Sequence, residues 1–344
     1  MALLWIEGFE GFGTSVGGAP SPAGIIGRKY PTINGESGFD IETGRDAVGY
    51  CLEIADYLSY IQSPNLTTNA TCVLGVAVKV AGFPSTQRDL VALYDGATKG
   101  MNIKINPDGT LTMENSTTDL GTTVNALTVD TWYYIEFKVL TNNSTGTAEI
   151  KVNGTSWKSV TSQDTQPGAN AYHTAFRLQP PFGITTLYDD IFFLDGSGSE
   201  NNDYLGNRKV LALDPDSAGD TTDWTPSAGS NYENVDDGGL CDEDTTYNET
   251  GTSTDQDLYH YDALPASVNT VNGVQINNET RVTSGSMQLA SVVKTGTTID
   301  VGPNDTITST TYVSAQRVVE QDPDTAAAWT KSGVDGAQFG IKAT

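Results

Sequence analysis

Groups able to move a proton, attack a carbonyl or hold a metal are few in this chain, and their spacing argues against catalysis. The histidines number two, His173 and His260, and no serine stands in a Gly-x-Ser-x-Gly elbow. A nucleophile and base acting together are therefore not indicated. His173, flanked by Tyr172 and Thr174, reads as a residue at the edge of a sandwich, and His260, within YHYD, as a packing or interface residue. Carboxylates that could flank one glycosidic bond are Asp40 with Glu42, Glu7 with Glu10, and Asp189 with Asp190. None forms a Glu-x-Asp-x-x-Glu array. Asp40 and Glu42 sit among Gly and Thr in a predicted turn, whereas a catalytic pair needs a held geometry. No catalytic residue is assigned, and the chain reads as non-enzymatic.

Binding chemistry is better represented. Hard oxygen ligands that suit calcium cluster at Asp214, Asp216 and Asp220, and again at Asp236, Asp237, Asp242 and Asp244. Neither cluster follows a D-x-D-x-D-G loop code, and the plainer reading is a hydrated acidic loop. Calcium at Asp214, Asp216 and Asp220 is the one cofactor worth testing. Sugar sites pair an aromatic platform with hydrogen-bonding side chains, which makes Trp224, Tyr232 and Trp157 the candidates. Against that stands ordinary burial: Trp157 is expected to cap the sandwich and Trp132 to be internal, while Trp224, in TTDWTPSAG, is best placed for exposure or a partner contact. Three cysteines, Cys51, Cys72 and Cys241, lack CxxC spacing and read as free thiols, with a Cys51–Cys72 bridge as the alternative if their strands adjoin.

The elements that would position these residues are strands. Thr131–Gly154 predicts a hairpin in which Tyr133, Ile135, Phe137 and Val139 form the buried face and Glu136 and Lys138 the solvent face; Ala148, Ile150 and Val152 repeat the pattern. TNNSTG joins the arms, and Asn153-Gly154 starts a second tight turn. Thr71–Val80 is the clearest central strand; Gly49–Ile54, Tyr57–Ile61, Arg88–Tyr94, Ala175–Leu178 and Leu187–Leu194 are others. Asn102–Glu114 turns about Pro107-Asp108-Gly109, and Gly11–Gly27 reads as a loop with little capacity to pack.

With 344 residues, two cores are expected. A net charge of −25, from 43 acidic and 18 basic residues without a basic stripe, argues against direct nucleic-acid binding. No segment has the ~20 apolar residues of a membrane helix. MALLWIEGFEGFG lacks a basic leader region, so a first strand is expected there, and a protein made in the cytoplasm without a signal peptide. The texture changes near Gly196, in GSGSENNDYLGN. From Val210 to Thr280 there is no Lys or Arg but fifteen acids, interspersed with Trp224, Tyr232, Tyr247, Tyr259 and Tyr261. That stretch, about 211–265, reads as a long acidic loop ordered by packing. Alternation returns from Val271 to Val319, and Trp329 is a predicted core anchor.

The order Ile103–Asn106, Asp108-Gly109, Leu111–Glu114, Trp132–Leu140, Ala148–Gly154, with YDDIFFLD at Tyr188–Asp195, resembles the concanavalin A/laminin-G-like jelly roll. The resemblance implies an all-β chain: such a jelly-roll sandwich at residues 1–206, followed by a second, smaller β-sandwich at 207–344. LLWIEGFEGF, the Leu205-Gly206-Asn207-Arg208…Val210 segment and the "DP-x-T-x-x-x-W-T" run at Asp322–Thr330 further resemble virion structural proteins of tailed bacteriophages. That likeness implies a non-enzymatic, tail-associated protein of the virion, like a tail fibre or adhesin. Its expected partners are other virion proteins, further copies of itself in a homo-oligomer, and host-surface glycans. The rival readings are a capsid-decorating cement or head-fibre protein, and a free carbohydrate-binding lectin module.

Overall fold

Some strands of this chain alternate in burial, as β-strand Gly146–Val152 does, and others, such as Thr71–Val80, are continuous buried runs. In a computed structural model, which describes residues 2–13, 22–35, 38–56 and 58–344, they build an all-β molecule. Contacts divide it into Met1–Leu211 and Ala212–Thr344.

In the first unit the strands run β1 (Leu3–Glu7), β2 (Thr32–Asn34), β3 (Phe39–Thr43), β4 (Tyr50–Ile54), β5 (Tyr60–Gln62), β6 (Thr71–Val80), β7 (Arg88–Asp95) and β8 (Thr98–Ile105). They continue as β9 (Thr110–Asn115), β10 (Thr118–Ala126), β11 (Tyr133–Leu140), β12 (Gly146–Val152), β13 (Thr155–Gln163), β14 (Ala175–Leu178) and β15 (Thr186–Asp195). An eight-stranded sheet has the order β13-β12-β11-β6-β15-β4-β3 with β1 also on β15, and a seven-stranded sheet the order β10-β9-β8-β7-β14-β5-β2. All pairs are antiparallel, and the two sheets make the expected all-β, jelly-roll-like sandwich. Between them Phe176 of β14 meets Trp5 of β1 and Phe193 of β15 at centroid distances of 6.3 and 5.7 Å, and the Tyr188 hydroxyl donates across the core to the Leu90 carbonyl at 2.9 Å.

Several expectations are corrected. Gly11–Gly27 is not wholly a loop: residues 14–21 lie outside the described residues, but helix α1 (Pro22–Lys29) follows, with Ile25 and Ile26 buried. Asp40 and Glu42 lie on strand β3, not in a turn, and both point to solvent. The strand expected from Tyr57 begins at Tyr60, Tyr57 itself being outside the described residues. Cys51 and Cys72 are free buried thiols, on β4 and β6 with β15 between them.

The hairpin β11–β12 is present, but its polar face is not simply solvated, since Glu136 is only 1 % exposed. Residues 203–210 lie over it as a strap. Lys138 pairs with Asp203 at 2.8 Å, the Tyr204 hydroxyl donates to Glu149 at 2.8 Å, and the Gly206 N–H donates to Glu136 at 2.8 Å. Arg45 donates to Asn207 Oδ1 and the Arg208 carbonyl, pairs with Asp190 at 2.6 Å, and Asp190 accepts from the Val210 N–H. The unit therefore extends to Leu211, a few residues past the boundary expected after residue 206.

In the second unit, β16 (Pro215–Thr222), β17 (Thr225–Pro226), β18 (Asn248–Glu249), β19 (Gln256–Tyr261), β20 (Val274–Thr280) and β21 (Met287–Thr295) come first. After them come β22 (Thr298–Val301), β23 (Asp305–Ile307), β24 (Val313–Val319), β25 (Gln321–Asp322), β26 (Ala327–Ala328) and β27 (Gln338–Ala343), with helix α2 at Lys331–Asp335. A six-stranded sheet runs β16-β19-β27-β21-β22, with β23 also on β21, and β20 and β24 form a separate two-stranded ribbon. Val313 and Ala315 of the ribbon pack with Trp224 on Leu289, Ile307 and Ala343, giving the smaller β-sandwich its inner layer. The stretch 211–265 is thus not one long loop, because β16 and β19 inside it belong to the main sheet. Trp329 is buried against Phe339, and its Nε1 donates to the Val319 carbonyl at 2.9 Å.

Candidate functional site: an aromatic and amide-lined cleft of the second unit

Burying a carboxylate without a cation requires several donors around it, and such a node shapes this site. Asp257 of β19 is fully buried. It accepts from the Trp224 N–H (2.9 Å), Asn231 Nδ2 (2.6 Å) and the Tyr259 hydroxyl (2.9 Å). Asn231 opens a single 3-10 turn, Asn231–Asn234, whose capping box joins Ser230 and Glu233, and its amide also holds the Trp224 carbonyl. Trp224 Nε1 donates to the Asp255 carbonyl at 3.2 Å. Trp224 is thereby held at its backbone N–H, its carbonyl and its indole N–H. Trp224, whose side chain also packs on the Leu289, Ile307 and Ala343 core, is among the residues lining a cavity of about 510 Å³, within the range of small-molecule sites.

The opposite wall comes from the ribbon and the segments beside it. Asn277, Asn278 and Glu279 of β20 line it, together with Arg281 and Tyr312. Arg281 pairs with Asp244 at 2.7 Å, the Tyr312 hydroxyl donates to the same carboxylate at 3.0 Å, and the guanidinium stands 5.4 Å from the Tyr312 ring centre. That ion pair holds the Asp244 carboxyl below its ordinary range; burial lifts the Tyr312 phenol to about 12. Tyr247, 36 % exposed, stands at the rim. Phenols, amides and one indole around a cleft can hold a hydroxyl-bearing ring by stacking and hydrogen bonds. No histidine lines the cleft, and Asp244 is occupied by Arg281 and Tyr312.

Of the residues singled out in the sequence, Trp224 and Asp214 line this cleft. Tyr232 lies beside it on the 3-10 turn, and Trp157 is in the other unit, on edge strand β13. Trp157 does not cap the sandwich; it packs edge-on to Tyr133 at 6.1 Å, and Trp132 is half-buried under Lys79. The trio Asp214, Asp216 and Asp220 is not gathered. Asp220 pairs with Lys294 and Asp216 accepts from Ser217, whereas the carboxyl of Asp214, raised by burial, faces Asp262 and Asp236. Asp242 likewise accepts from Thr246 and its N–H donates to Asp237. Among the described residues no three His, Cys, Asp or Glu side chains stand as a metal site. Sequence reasoning missed Tyr312, Arg281 and Asn277. Their signal was available only as alternation on β20 and β24, which says nothing of what lies opposite.

The other groups weighed for chemistry are structural. His173 is not at an edge but fully buried, accepting from the Met101 N–H at Nε2 (3.1 Å) and bonding Thr141 Oγ1 through Nδ1 (2.9 Å). Burial lowers its pKa to about 4, so it is neutral. His260 is half-buried on β19 opposite Ser217. Asp189 and Asp190 sit in a bulge of β15 beneath the strap, with Asp190 at φ 49°. Burial raises Asp189 to about 7 and Glu10 to about 7.

No family model matches this chain, and no curated protein matches it. Solved structures are similar over part of its length. An endo-beta-1,4-glucuronan lyase from Trichoderma reesei is 12 % identical, over 48 % of this chain and 90 % of that one, with a TM-score of 0.38. A PL-14 alginate lyase from Aplysia kurodai is 12 % identical, over 56 % and 98 %, with a TM-score of 0.41. The binding domain of Paraclostridial Mosquitocidal Protein 1 is 16 % identical, over 56 % and 48 %, with a TM-score of 0.39.

Proposed function

We propose that this chain is a non-enzymatic structural and interaction protein of a tailed-phage particle, tail-associated and homo-oligomeric, whose second unit holds a host-surface glycan in the Trp224 cleft. The observation that carries the glycan part is the cleft itself: a tryptophan held by its indole N–H and by its own backbone N–H and carbonyl, tyrosines and asparagine amides around it, and no histidine among its lining. The placement in a virion is supported by the sequence resemblance, including the Asp322–Thr330 run. In the fold that run supplies Trp329 as a core anchor and Thr330 as the cap of α2, so the motif serves stability and not ligand contact.

A glycan array probed with the intact chain tests the first part. Tyr247→Ala, at the rim and away from the core, should weaken the bound glycan about tenfold, a stacking contact being worth roughly 1 kcal/mol or more. Equal binding by wild type and Tyr247→Ala, or no glycan bound at all, would count against the cleft. Gold-labelled antibody imaged on particles tests the second part: label on the tail is expected, and label on the head favours the cement or head-fibre role.

A further inference from the structure

The first strand and the first helix bring together a group of reactive atoms that the glycan reading does not use. Lys29, at the end of α1, meets Glu7, at the end of β1, with Nζ 2.7 Å from Oε2. Their side chains are 7 % and 5 % exposed, whereas Lys99, Lys138 and Lys294, which also meet carboxylates, are 19 % exposed or more. The pocket around them is aromatic. The Trp5 ring centre stands 5.4 Å from Nζ and its ring is edge-on to Tyr30, while Tyr30 and Phe9 are fully buried. Two full charges enclosed in this way carry a desolvation cost that an exposed pair escapes. A neutral amide in their place would not carry it.

The Glu7 carboxyl is surrounded by the groups that an acyl transfer needs. Its Oε1 accepts from the Phe9 N–H at 2.8 Å, and Phe9 stands at φ 60°, a left-handed conformation that an aromatic residue rarely adopts. That N–H faces the oxygen on which charge gathers when a nucleophile adds to the carboxyl carbon. The Tyr30 hydroxyl donates to the other oxygen, Oε2, at 3.3 Å. Burial and the neighbouring Glu7 charge push this phenol well up, so it keeps a proton to hand on. Nucleophile, oxyanion donor and proton donor thus converge on one carboxyl in a site closed to water. Groups held at contact distance react as though at very high concentration, ~10⁵ M or more.

We propose that Lys29 and Glu7 condense into an isopeptide bond that ties β1 to α1. A proton passes from Nζ to Oε2, the freed amine adds to the carboxyl carbon, and the C–Oε2 bond breaks. Of the three ammonium protons two leave with Oε2 as water and one stays on the amide nitrogen, so no further reactant is consumed. β1 lies off the main strand path, on β15, and the bond fastens it at its last residue. The site is independent of the Trp224 cleft and of any ligand. Intact-mass spectrometry of the full chain, incubated at neutral pH and then denatured, tests it. Most of the chain should be lighter than its sequence mass by one water, and a digest should give one peptide pair joined through Lys29 and Glu7, uncut by trypsin after Lys29. Glu7→Gln should be lighter by one ammonia, because an amide loses ammonia where an acid loses water. Lys29→Arg and Glu7→Ala should both keep their full mass. Tyr30→Phe, which removes the proton donor but neither reacting group, should join more slowly, by about tenfold or more. Wild-type chain at full sequence mass overturns the proposal whatever the variants do, and so does a lost water that digestion places anywhere other than Lys29 and Glu7.

Discussion

Single side chains decide how this protein responds to pH. Asp189 and Glu10 have carboxyls raised to about 7 by burial, so the folded state holds their protons more tightly than the unfolded chain does. Their contribution to stability is complete below the ordinary carboxylate range and is lost as pH rises through 7. His173 acts in the opposite sense: lowered to about 4, it contributes fully above pH 6.5 and loses that contribution as pH falls toward 4. The two effects offset each other in the wild type across the same window. Asp189→Asn should uncover them: relative to wild type it should be more stable at pH 8 than at pH 4, by about 2 kcal/mol. Thermal melts at the two values measure this, and an identical difference at both would refute the assignment. None of it was legible beforehand, because a Tyr-Asp-Asp run on a strand gives no sign that a bulge and a strap will enclose it. The free thiols were legible. Cys72 alternates with Leu74, Val76 and Val78 and is buried as that pattern requires, its thiol pushed up to about 12 by the loss of water.

At the level of elements, local pattern succeeded where one face meets one core. The β11–β12 hairpin, its Asn153-Gly154 turn with both residues at positive φ, and the Asp108-Gly109 turn all follow from residues adjacent in sequence. Pattern failed where a distant segment covers a face. Glu136 looks like a solvent residue until Gly206 arrives, and Gly75 looks merely small until the Phe192 ring is seen occupying the place its Cβ would take. Helix α1 escaped notice because glycines and prolines around it mask the apolar pair Ile25-Ile26. The strap gives this scale its test. Arg45 is buried, and without it Asp190 would keep the Val210 N–H and the more distant Lys209 charge but lose its ion-pair partner. Arg45→Ala should therefore lose roughly 3 kcal/mol in denaturant unfolding and open residues 203–210 to protease. Unchanged cleavage there would mean that the strap is held without it.

For the whole molecule, each unit has its own core, and calorimetry should resolve two transitions. A fragment of residues 212–344 should melt cooperatively at the temperature of one of them; a fragment that stays unfolded would show that the division by contacts is not one of stability. The change of texture near Gly196 lies before that division, and the small polar stretch it marks is tied down at Tyr204, Gly206 and Asn207. A pull on the chain beyond residue 211 would thus not reach the first sandwich at a loose end. It would meet Val210, Arg208 and Gly206, each already bonded to the first sandwich through Asp190, Arg45 and Glu136, and those bonds would take the load before the strands do. A body moored in this way can be tugged from downstream without its strands being the first thing to part.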